Sequence, residues 1–126
     1  MPHLTAHLPE SRLTGKEAVL VAALTDAIVG VYGEWARDLV SIRLAGVPAG
    51  RYAQGGRAVD TNASVVLGVR AGVFDRPDAA RITARLGAAL TDAIVRVAGD
   101  DLRAGTMVEL VASPPDRTFL GGVLAV

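Results

Sequence analysis

Apolar and polar positions follow two different periods along the chain, and each period predicts a different element. Residues 2–8 alternate between apolar and polar side chains, which is typical of a strand with one buried face. From 16 to 32 the apolar residues recur at spacings of three and four, which predicts one helical stripe facing a core. Residues 39–45 alternate again and predict a second strand. The predicted helical stripe consists of Val19, Ala22, Ala23, Ala27, Ile28 and Val31.

The connection between the first strand and the helix is short and polar. It spans 10–14 and contains two residues of the kind that commonly cap helices. We therefore expect Ser11 or Thr14 to cap the helix that follows.

The second half of the chain repeats the first. The octapeptide Ala-Ala-Leu-Thr-Asp-Ala-Ile-Val at 22–29 recurs without change at 88–95, an offset of 66 residues. The same offset carries Gly55-Gly56 onto Gly121-Gly122. The predicted elements of the second half are a strand, a helix and a strand at 64–73, 77–98 and 106–112. The chain thus consists of two copies of one unit, each too small to bury a good core alone.

We predict a single domain, 1–126, that the internal repeat divides into 1–60 and 64–126. In each unit a helix connects two parallel strands, and such crossovers are right-handed in nearly all proteins. Two crossovers of the same hand place both helices on one face of a four-stranded mixed sheet, an α+β fold. The other face is bare and carries Arg43 and Glu109 among small and apolar side chains, so it must meet water or another subunit.

The composition favours burial against other subunits. Hydrophobic residues make up 51% of a chain of 126 residues, a high fraction for a protein that must leave much of its surface in water. The net charge is zero, aromatic residues make up 4%, and Lys16 is the only lysine. The chain therefore lacks the basic and aromatic surface that nucleic acids require and the polybasic run that binds an anionic membrane.

The amino-terminal segment gives no sign of targeting. Charged residues occur within 1–20, where a signal peptide needs an apolar region, and no apolar run is long enough to span a bilayer. We therefore expect a cytoplasmic protein.

The residues that usually bind metals and cofactors are scarce. The chain has no cysteine and only two histidines, His3 and His7, which lie about 13 Å apart if they share one strand. That separation is too large for one metal ion within a subunit. The two Gly-Gly pairs follow strands rather than opening helices, as a phosphate-binding loop would. We expect neither a metal site nor a cofactor.

The candidate for acid–base chemistry is Pro2. An initiator Met before Pro is normally removed, and its removal turns Pro2 into a rigid secondary amine. A terminal amine titrates near ~8, and burial or nearby guanidinium groups lower this pKa. A free amine near neutral pH is suited to removing a proton beside a carbonyl group. The alternative is that Pro follows Met by chance, and if Met1 is retained, Pro2 is an amide and cannot act as a base.

Three segments together resemble the tautomerase superfamily. They are Pro2 at the start of a strand, Leu8-Pro9-Glu10-Ser11-Arg12 at its end, and Ser41-Ile42-Arg43 on the next strand. The groups that they resemble are the 4-oxalocrotonate tautomerases, the 5-(carboxymethyl)-2-hydroxymuconate isomerases, macrophage migration inhibitory factor and the cis-3-chloroacrylic acid dehalogenases. The turn and hairpin at 48–56 resemble those of the dehalogenase group.

The resemblance implies a cofactor-independent tautomerase that forms a homotrimer. Pro2 would be the general base for keto–enol proton transfer on a small carboxylated substrate. The residues that would bind substrate are Arg12, Arg43, Tyr52, Arg70 and Arg76.

Other interpretations of these residues stay open. Arg12 can be a solvated loop residue, and Arg43 can form an ion pair with Glu109 across the two halves or between subunits. Tyr52 can be an ordinary hairpin aromatic, and Arg70 and Arg76 can be surface residues. Trp35, the only tryptophan, is expected to be a packing residue.

Departures from the dehalogenase pattern argue against hydration or dehalogenation through the residues that this pattern uses. That group has a His, a Tyr and a Glu at the positions that hold Ile28, Glu109 and, approximately, Leu120 in this chain. A water-activating group is therefore missing, whereas proton transfer by Pro2 needs none. The alternatives to a tautomerase are a decarboxylase or dehalogenase/hydratase acting on a three-carbon acid, and a protein that keeps the fold without enzymatic activity.

Overall fold

A four-stranded mixed sheet organises the protein, as its computed structural model shows for residues 2–125. The elements in chain order are β1 (His3–Pro9), α1 (Glu10–Leu13), α2 (Glu17–Tyr32), β2 (Ser41–Val47), β3 (Ala53–Gln54), β4 (Arg57–Ala58), β5 (Asn62–Arg70), α3 (Ala79–Ala98), β6 (Gly105–Ser113), β7 (Phe119–Leu120) and β8 (Val123–Leu124). The strand order in the sheet is β2-β1-β5-β6. β1 pairs with β2 in parallel, β1 with β5 antiparallel, and β5 with β6 in parallel. The predicted α+β fold is confirmed.

Apolar side chains on one face of the two central strands form one wall of the core. On β1 and β5, every second residue faces the helices and is buried, and the residues between them face the other side. The buried set is Leu4, Ala6, Leu8, Ala63, Val65, Leu67 and Val69. These strands lie in the middle of the sheet, so their apolar faces make the centre of the core.

The two long helices cover that wall with matching sets of side chains. Residues spaced by four in α2 and α3 lie on one helix face and point into the core. The six fully buried residues of this kind are Leu20, Leu24, Ile28, Leu86, Leu90 and Ile94. The 66-residue offset carries the first three onto the last three, so the repeat in the sequence corresponds to a repeat in the packing.

The apolar stripe predicted for the first helix is wrong at two of its six positions. Ala23 and Ile28 are buried, and Ala27 and Val31 pack against the core. Val19 is 63% exposed and Ala22 is also exposed, whereas Leu20 and Leu24 are buried. The segment is apolar on nearly every side, from Ala18 to Leu24, so spacings of three and four can be drawn through several faces. Only the position of the sheet decides which face is buried.

Several predicted boundaries also change. Neither Ser11 nor Thr14 caps α2, because 10–13 form a short helix of their own and the Thr14 hydroxyl donates to the Glu10 carbonyl at 3.0 Å. The strand predicted at 64–73 ends at Arg70, because Ala71–Asp75 form a 3₁₀ turn.

A small hairpin follows each crossover unit. The β3–β4 hairpin turns at Gly55-Gly56, with φ of 60° and 79°, and the β7–β8 hairpin turns at Gly121-Gly122, with φ of 61° and 79°. Two successive residues with positive φ make the tight turn that suits a two-residue hairpin and favours glycine. The chain thus ends in the β7–β8 hairpin as far as the structure describes it, and Val126 lies outside the described residues.

The sheet face away from the helices is bare, as predicted. Strand pairing aligns Arg43 on β2, Thr5 on β1, Val66 on β5 and Glu109 on β6 in one row across this face. β2 and β6 are the edge strands, so the positive and the negative side chain lie at opposite edges. None of the helices within 2–125 is long and apolar enough to cross a membrane.

The packing predicts different outcomes for two neighbouring positions of α2. Leu24→Ala removes a side chain that is 0% exposed and should lower the free energy of unfolding by about 2–5 kcal/mol. Val19→Ala, at an exposed position of the same helix, should leave it within about 0.5 kcal/mol of the parent. Urea denaturation at one fixed protein concentration measures both. Equal losses in the two variants would contradict the assigned core face.

Candidate active site

Antiparallel pairing of β1 and β5 brings the start of one strand to the end of the other. His3 lies opposite Gly68, so Pro2 lies beside Val69 and Arg70 at the end of β5. On its other side, Pro2 is tied to the start of β2, because its carbonyl accepts a hydrogen bond from the Ser41 amide at 3.0 Å. The strand pairing thus brings Pro2 and Arg70 close together, although 68 positions separate them in the sequence.

Pro2 and Arg70 line one cavity of about 170 Å³. The other walls come from the end of α2, from the turn after it, and from the end of β5 and the turn that follows. The complete lining is Pro2, Tyr32, Trp35, Leu39, Val69, Arg70 and Val73. Apart from Arg70 and the polar atoms of Tyr32 and Trp35, the lining residues are apolar. Arg70 also lines a second cavity, of about 330 Å³, with Ser113 and Pro114.

The sequence had not indicated Tyr32, Trp35, Leu39 or Val73 as part of a site. Only five residues of the chain are aromatic, and two of them, Tyr32 and Trp35, lie three positions apart at the end of a predicted helix. That clustering of rare residues was the available signal. The way in which the helix end meets the end of β5 could not be read from it.

Trp35 is not the packing residue that was expected, because it is 68% exposed. Its position is nevertheless fixed: the indole Nε1 donates to the Tyr32 carbonyl at 2.9 Å, and the two rings meet edge to face with centroids 6.4 Å apart. Gly33 directly follows the last residue of α2, and its φ is 115°. A Cβ at this position would lie 3.0 Å from the Trp35 ring, so glycine allows both the backbone turn and the close approach of the indole.

The Tyr32 hydroxyl is buried and has no hydrogen-bond partner among residues 2–125. Burial raises the pKa of Tyr32, and the positive charge of Arg76 offsets part of that rise. The group therefore stays a neutral hydroxyl at physiological pH.

Arg76 lies near this cavity but is already paired. Its Nε lies 3.0 Å from Asp78 Oδ1, and this hydrogen bond holds the pKa of Asp78 below its usual value. Arg70 is in none of the ion pairs found within 2–125. Of the two arginines predicted in the second unit, Arg70 is thus the one that lines the cavity together with Pro2.

Arg12 and Tyr52 lie at the opposite end of β1, about 20 Å along the strand from Pro2. Arg12 binds Asp101 through two hydrogen bonds of 2.8 and 2.6 Å and also donates to the Ala98 carbonyl at 3.3 Å. Tyr52 lines a separate, more open cleft with Pro9 and Glu10. Neither residue is brought to Pro2 within one chain.

Arg43 lies on the bare sheet face, whereas the Pro2 cavity lies on the helix side. The row that contains Arg43 and Glu109 spans three strand spacings, about 14 Å, so the ion pair considered between the two halves does not form within one chain. The two side chains can meet only between different chains.

The His3 side chain links the start of β1 to β5 and β6. Its ring lies over Gly68, where any Cβ would collide with it, and its Nε2 lies 2.9 Å from Ser113 Oγ on β6. The residue next to Pro2 thus spans two strands. Among residues 2–125, no three His, Asp or Glu side chains come close enough to hold a metal ion.

Comparison with known proteins gives matches in structure. No family model and no curated protein matches the chain. The asymmetric trimer of a wild-type fused 4-OT (F6) is 26% identical, with a TM-score of 0.81 over 97% of this chain and 94% of that chain. Pt0534 inactivated by 2-oxo-3-pentynoate is 21% identical, with a TM-score of 0.82 over 98% of this chain and 94% of that chain. N1, a member of the cis-3-chloroacrylic acid dehalogenase family, is 17% identical, with a TM-score of 0.72 over 97% of this chain and 82% of that chain.

The Arg12–Asp101 pair predicts a pH dependence of stability. Hydrogen bonding to Arg12 lowers the pKa of Asp101 below its value in the unfolded chain. The stability that this pair contributes is therefore present above about pH 4 and is lost as the pH falls through the folded-state pKa. Asp101→Asn should lower stability at pH 7 and flatten its decline in acid, as measured by urea denaturation from pH 7 to pH 3. Asp116→Asn, at an exposed aspartate that pairs with Arg117, is the control and should leave the profile unchanged.

Proposed function

Since the chain has the tautomerase superfamily fold, we propose that it is a cofactor-independent tautomerase with Pro2 as its general base. The observation that carries the proposal is the shared cavity of Pro2 and Arg70. A terminal nitrogen beside a guanidinium group, among apolar walls, is favoured in its neutral form. The proposal requires removal of Met1, which lies outside the described residues.

The reaction needs only a base and a group that holds the substrate. The Pro2 nitrogen accepts the hydroxyl proton of a small enol acid, and the electrons left on that oxygen form the carbonyl. The electrons of the carbon–carbon double bond then take the proton back from Pro2 at the neighbouring carbon. Arg70 holds the substrate carboxylate through charge-assisted hydrogen bonds. Atoms and electrons balance without an oxidant or a cofactor.

The roles of Arg12, Arg43, Tyr52 and Arg76 stay predictions. Because Arg12, Arg43 and Tyr52 lie away from the Pro2 cavity of their own chain, each can bind substrate only at the Pro2 cavity of a neighbouring subunit. Arg76 can approach the cavity within the chain if its pairing with Asp78 is exchanged for the substrate.

We also propose a homotrimer. A fused 4-OT of similar structure is a trimer. In a trimer, the bare sheet face of this chain would be buried against other subunits, which accounts for its high fraction of hydrophobic residues. The opposite charges of Arg43 and Glu109 on the two edge strands favour contact between unlike edges of neighbouring subunits.

Dehalogenation or hydration is not favoured by the residues at the relevant positions. Ile28 is 0% exposed within the core, and Glu109 lies on the bare sheet face away from the Pro2 cavity. Neither residue can activate a water molecule beside Pro2 in the same chain.

The proposal predicts a loss of activity when the base is changed. Ketonisation of phenylenolpyruvate and 2-hydroxymuconate, followed by ultraviolet absorbance, should fall at least about tenfold in kcat/KM in Pro2→Ala, because the rigid ring nitrogen is lost. Arg70→Ala should act mainly on KM, and Arg96→Ala, in a separate cleft beside the start of α2, is the control. Intact mass establishes for each preparation whether Met1 is absent. Full activity of Pro2→Ala, or of protein that retains Met1, would contradict the mechanism.

Light scattering tests the assembly. At micromolar concentration the protein should have three times the mass of the 13.0 kDa chain. Glu109→Arg places like charges at both edges and should shift the protein toward smaller species, and Arg43→Glu in the same chain should restore the trimer. A monomeric parent protein would overturn this proposal.

A further inference from the structure

The position of Pro2 depends on contacts made by its own backbone and by the residue that follows it. Once Met1 is removed, as the proposed function requires, Pro2 is the chain terminus, and termini are poorly ordered unless they are tied down. The Pro2 carbonyl is tied to β2 by the hydrogen bond of 3.0 Å from the Ser41 amide. A general base must be held within a fraction of an ångström of its productive position. The contacts of the next residue, His3, therefore bear on the chemistry.

The side chain of His3 reaches across a neighbouring strand. The register of β1 and β5 places His3 opposite Gly68, and the imidazole lies over that glycine. Beyond it, His3 Nε2 lies 2.9 Å from Ser113 Oγ on β6 in a partly buried hydrogen bond. Two strand spacings amount to about 9–10 Å, so this one side chain braces three strands at the end of the sheet where Pro2 lies.

Gly68 allows the imidazole to cross β5. A Cβ at this position would collide with the ring, so a larger residue would displace His3 from its path to Ser113. His7 gives a comparison on the same side of β1, because it lies opposite Ser64 and is exposed. The glycine is thus specifically matched to the histidine that follows Pro2.

The brace ends beside Arg70. Ser113 is the register partner of Arg70 in the parallel pairing of β5 with β6, and the two residues also line one cavity. Arg70 in turn lines the other cavity with Pro2. Because His3 directly follows Pro2 and Ser113 lies beside Arg70, the hydrogen bond between them couples the position of the base to that of the guanidinium.

We propose that His3 is a positioning residue, whose hydrogen bond to Ser113 across Gly68 sets the place of the Pro2 nitrogen relative to Arg70. This inference rests on the proposed function, because it explains how the base of the same site is aligned. Within residues 2–125, the lining of the Pro2 cavity does not include His3. His3 therefore acts through Pro2 and not on the substrate.

Kinetics of phenylenolpyruvate ketonisation, in protein that lacks Met1, test this role. His3→Leu removes the hydrogen bond and should lower kcat about tenfold while KM stays within about threefold, because the base is misplaced and Arg70 still binds the carboxylate. Ser113→Ala should have the same effect, and the double variant should lose no more than either single variant. His3→Gln, whose amide nitrogen can reach Ser113, should restore most of kcat.

His7→Leu is the matched control for these kinetics and should keep the kcat of the parent. Unchanged kcat in both His3→Leu and Ser113→Ala, additive losses in the double variant, or an equal loss in His7→Leu would overturn the inference. None of these results bears on the proposed function, which Pro2→Ala tests separately.

Hydrogen exchange measured by NMR tests the brace without turnover. The Ser41 amide donates to the Pro2 carbonyl, so its exchange rate reports how often Pro2 leaves its place. His3→Leu and Ser113→Ala should each speed this exchange at least about tenfold. The Leu20 amide, which donates to the Lys16 carbonyl at 2.9 Å in α2, should change less than about threefold.

The two amides separate a local brace from general stability. Faster exchange at Ser41 alone, in a protein whose parent form ketonises no substrate, would support the brace and overturn the proposed function. Equal changes at both amides, or no change at Ser41, would overturn the inference and leave the proposed function intact.

Discussion

The antiparallel pairing of β1 with β5 is the contact on which the rest of the molecule depends. It joins the two halves of the repeat at the centre of the sheet and aligns the apolar faces of both strands under the helices. Its register also sets the chemistry, because the residue before His3 comes to lie beside the residues after Gly68. A shift of this register by one residue would turn the apolar set of one strand to the bare face and change which residues of β5 lie beside Pro2.

The same pairing explains why the two ends of the central strands differ. At one end a residue near the chain terminus, Pro2, meets Arg70. At the other end the strand that begins at Asn62 enters from the middle of the chain, so its nitrogen is an amide and cannot be a base. There the structure places the Arg12–Asp101 pair, which ties the end of β1 to the turn after α3. The two halves thus share their packing, while one end of the central strands holds the Pro2 cavity and the other holds the Arg12–Asp101 ion pair.

The sequence was informative where the pattern was local or repeated. Alternation located β1 and β2, and the octapeptide repeat led to the two-helix, four-stranded architecture. Because α2 is apolar on nearly every side, the predicted stripe included the exposed Val19 and Ala22 and omitted the buried Leu20 and Leu24. The Thr14 hydroxyl donates to the Glu10 carbonyl instead of capping the helix that follows. The site depended on tertiary contacts to a greater degree. Pro2 and Arg70 were both candidates, but their proximity follows from strand register, and the aromatic wall depends on where α2 ends.

The unlike edges of the sheet have a consequence for how copies of this chain can assemble. An edge that carries Arg43 and an edge that carries Glu109 favour head-to-tail contact, and head-to-tail contact either closes into a ring or continues as a filament. Each edge strand is followed, after five residues, by a glycine hairpin, so neither edge continues as a long template for further strands. We therefore expect the two hairpins to limit strand pairing between further copies at both edges.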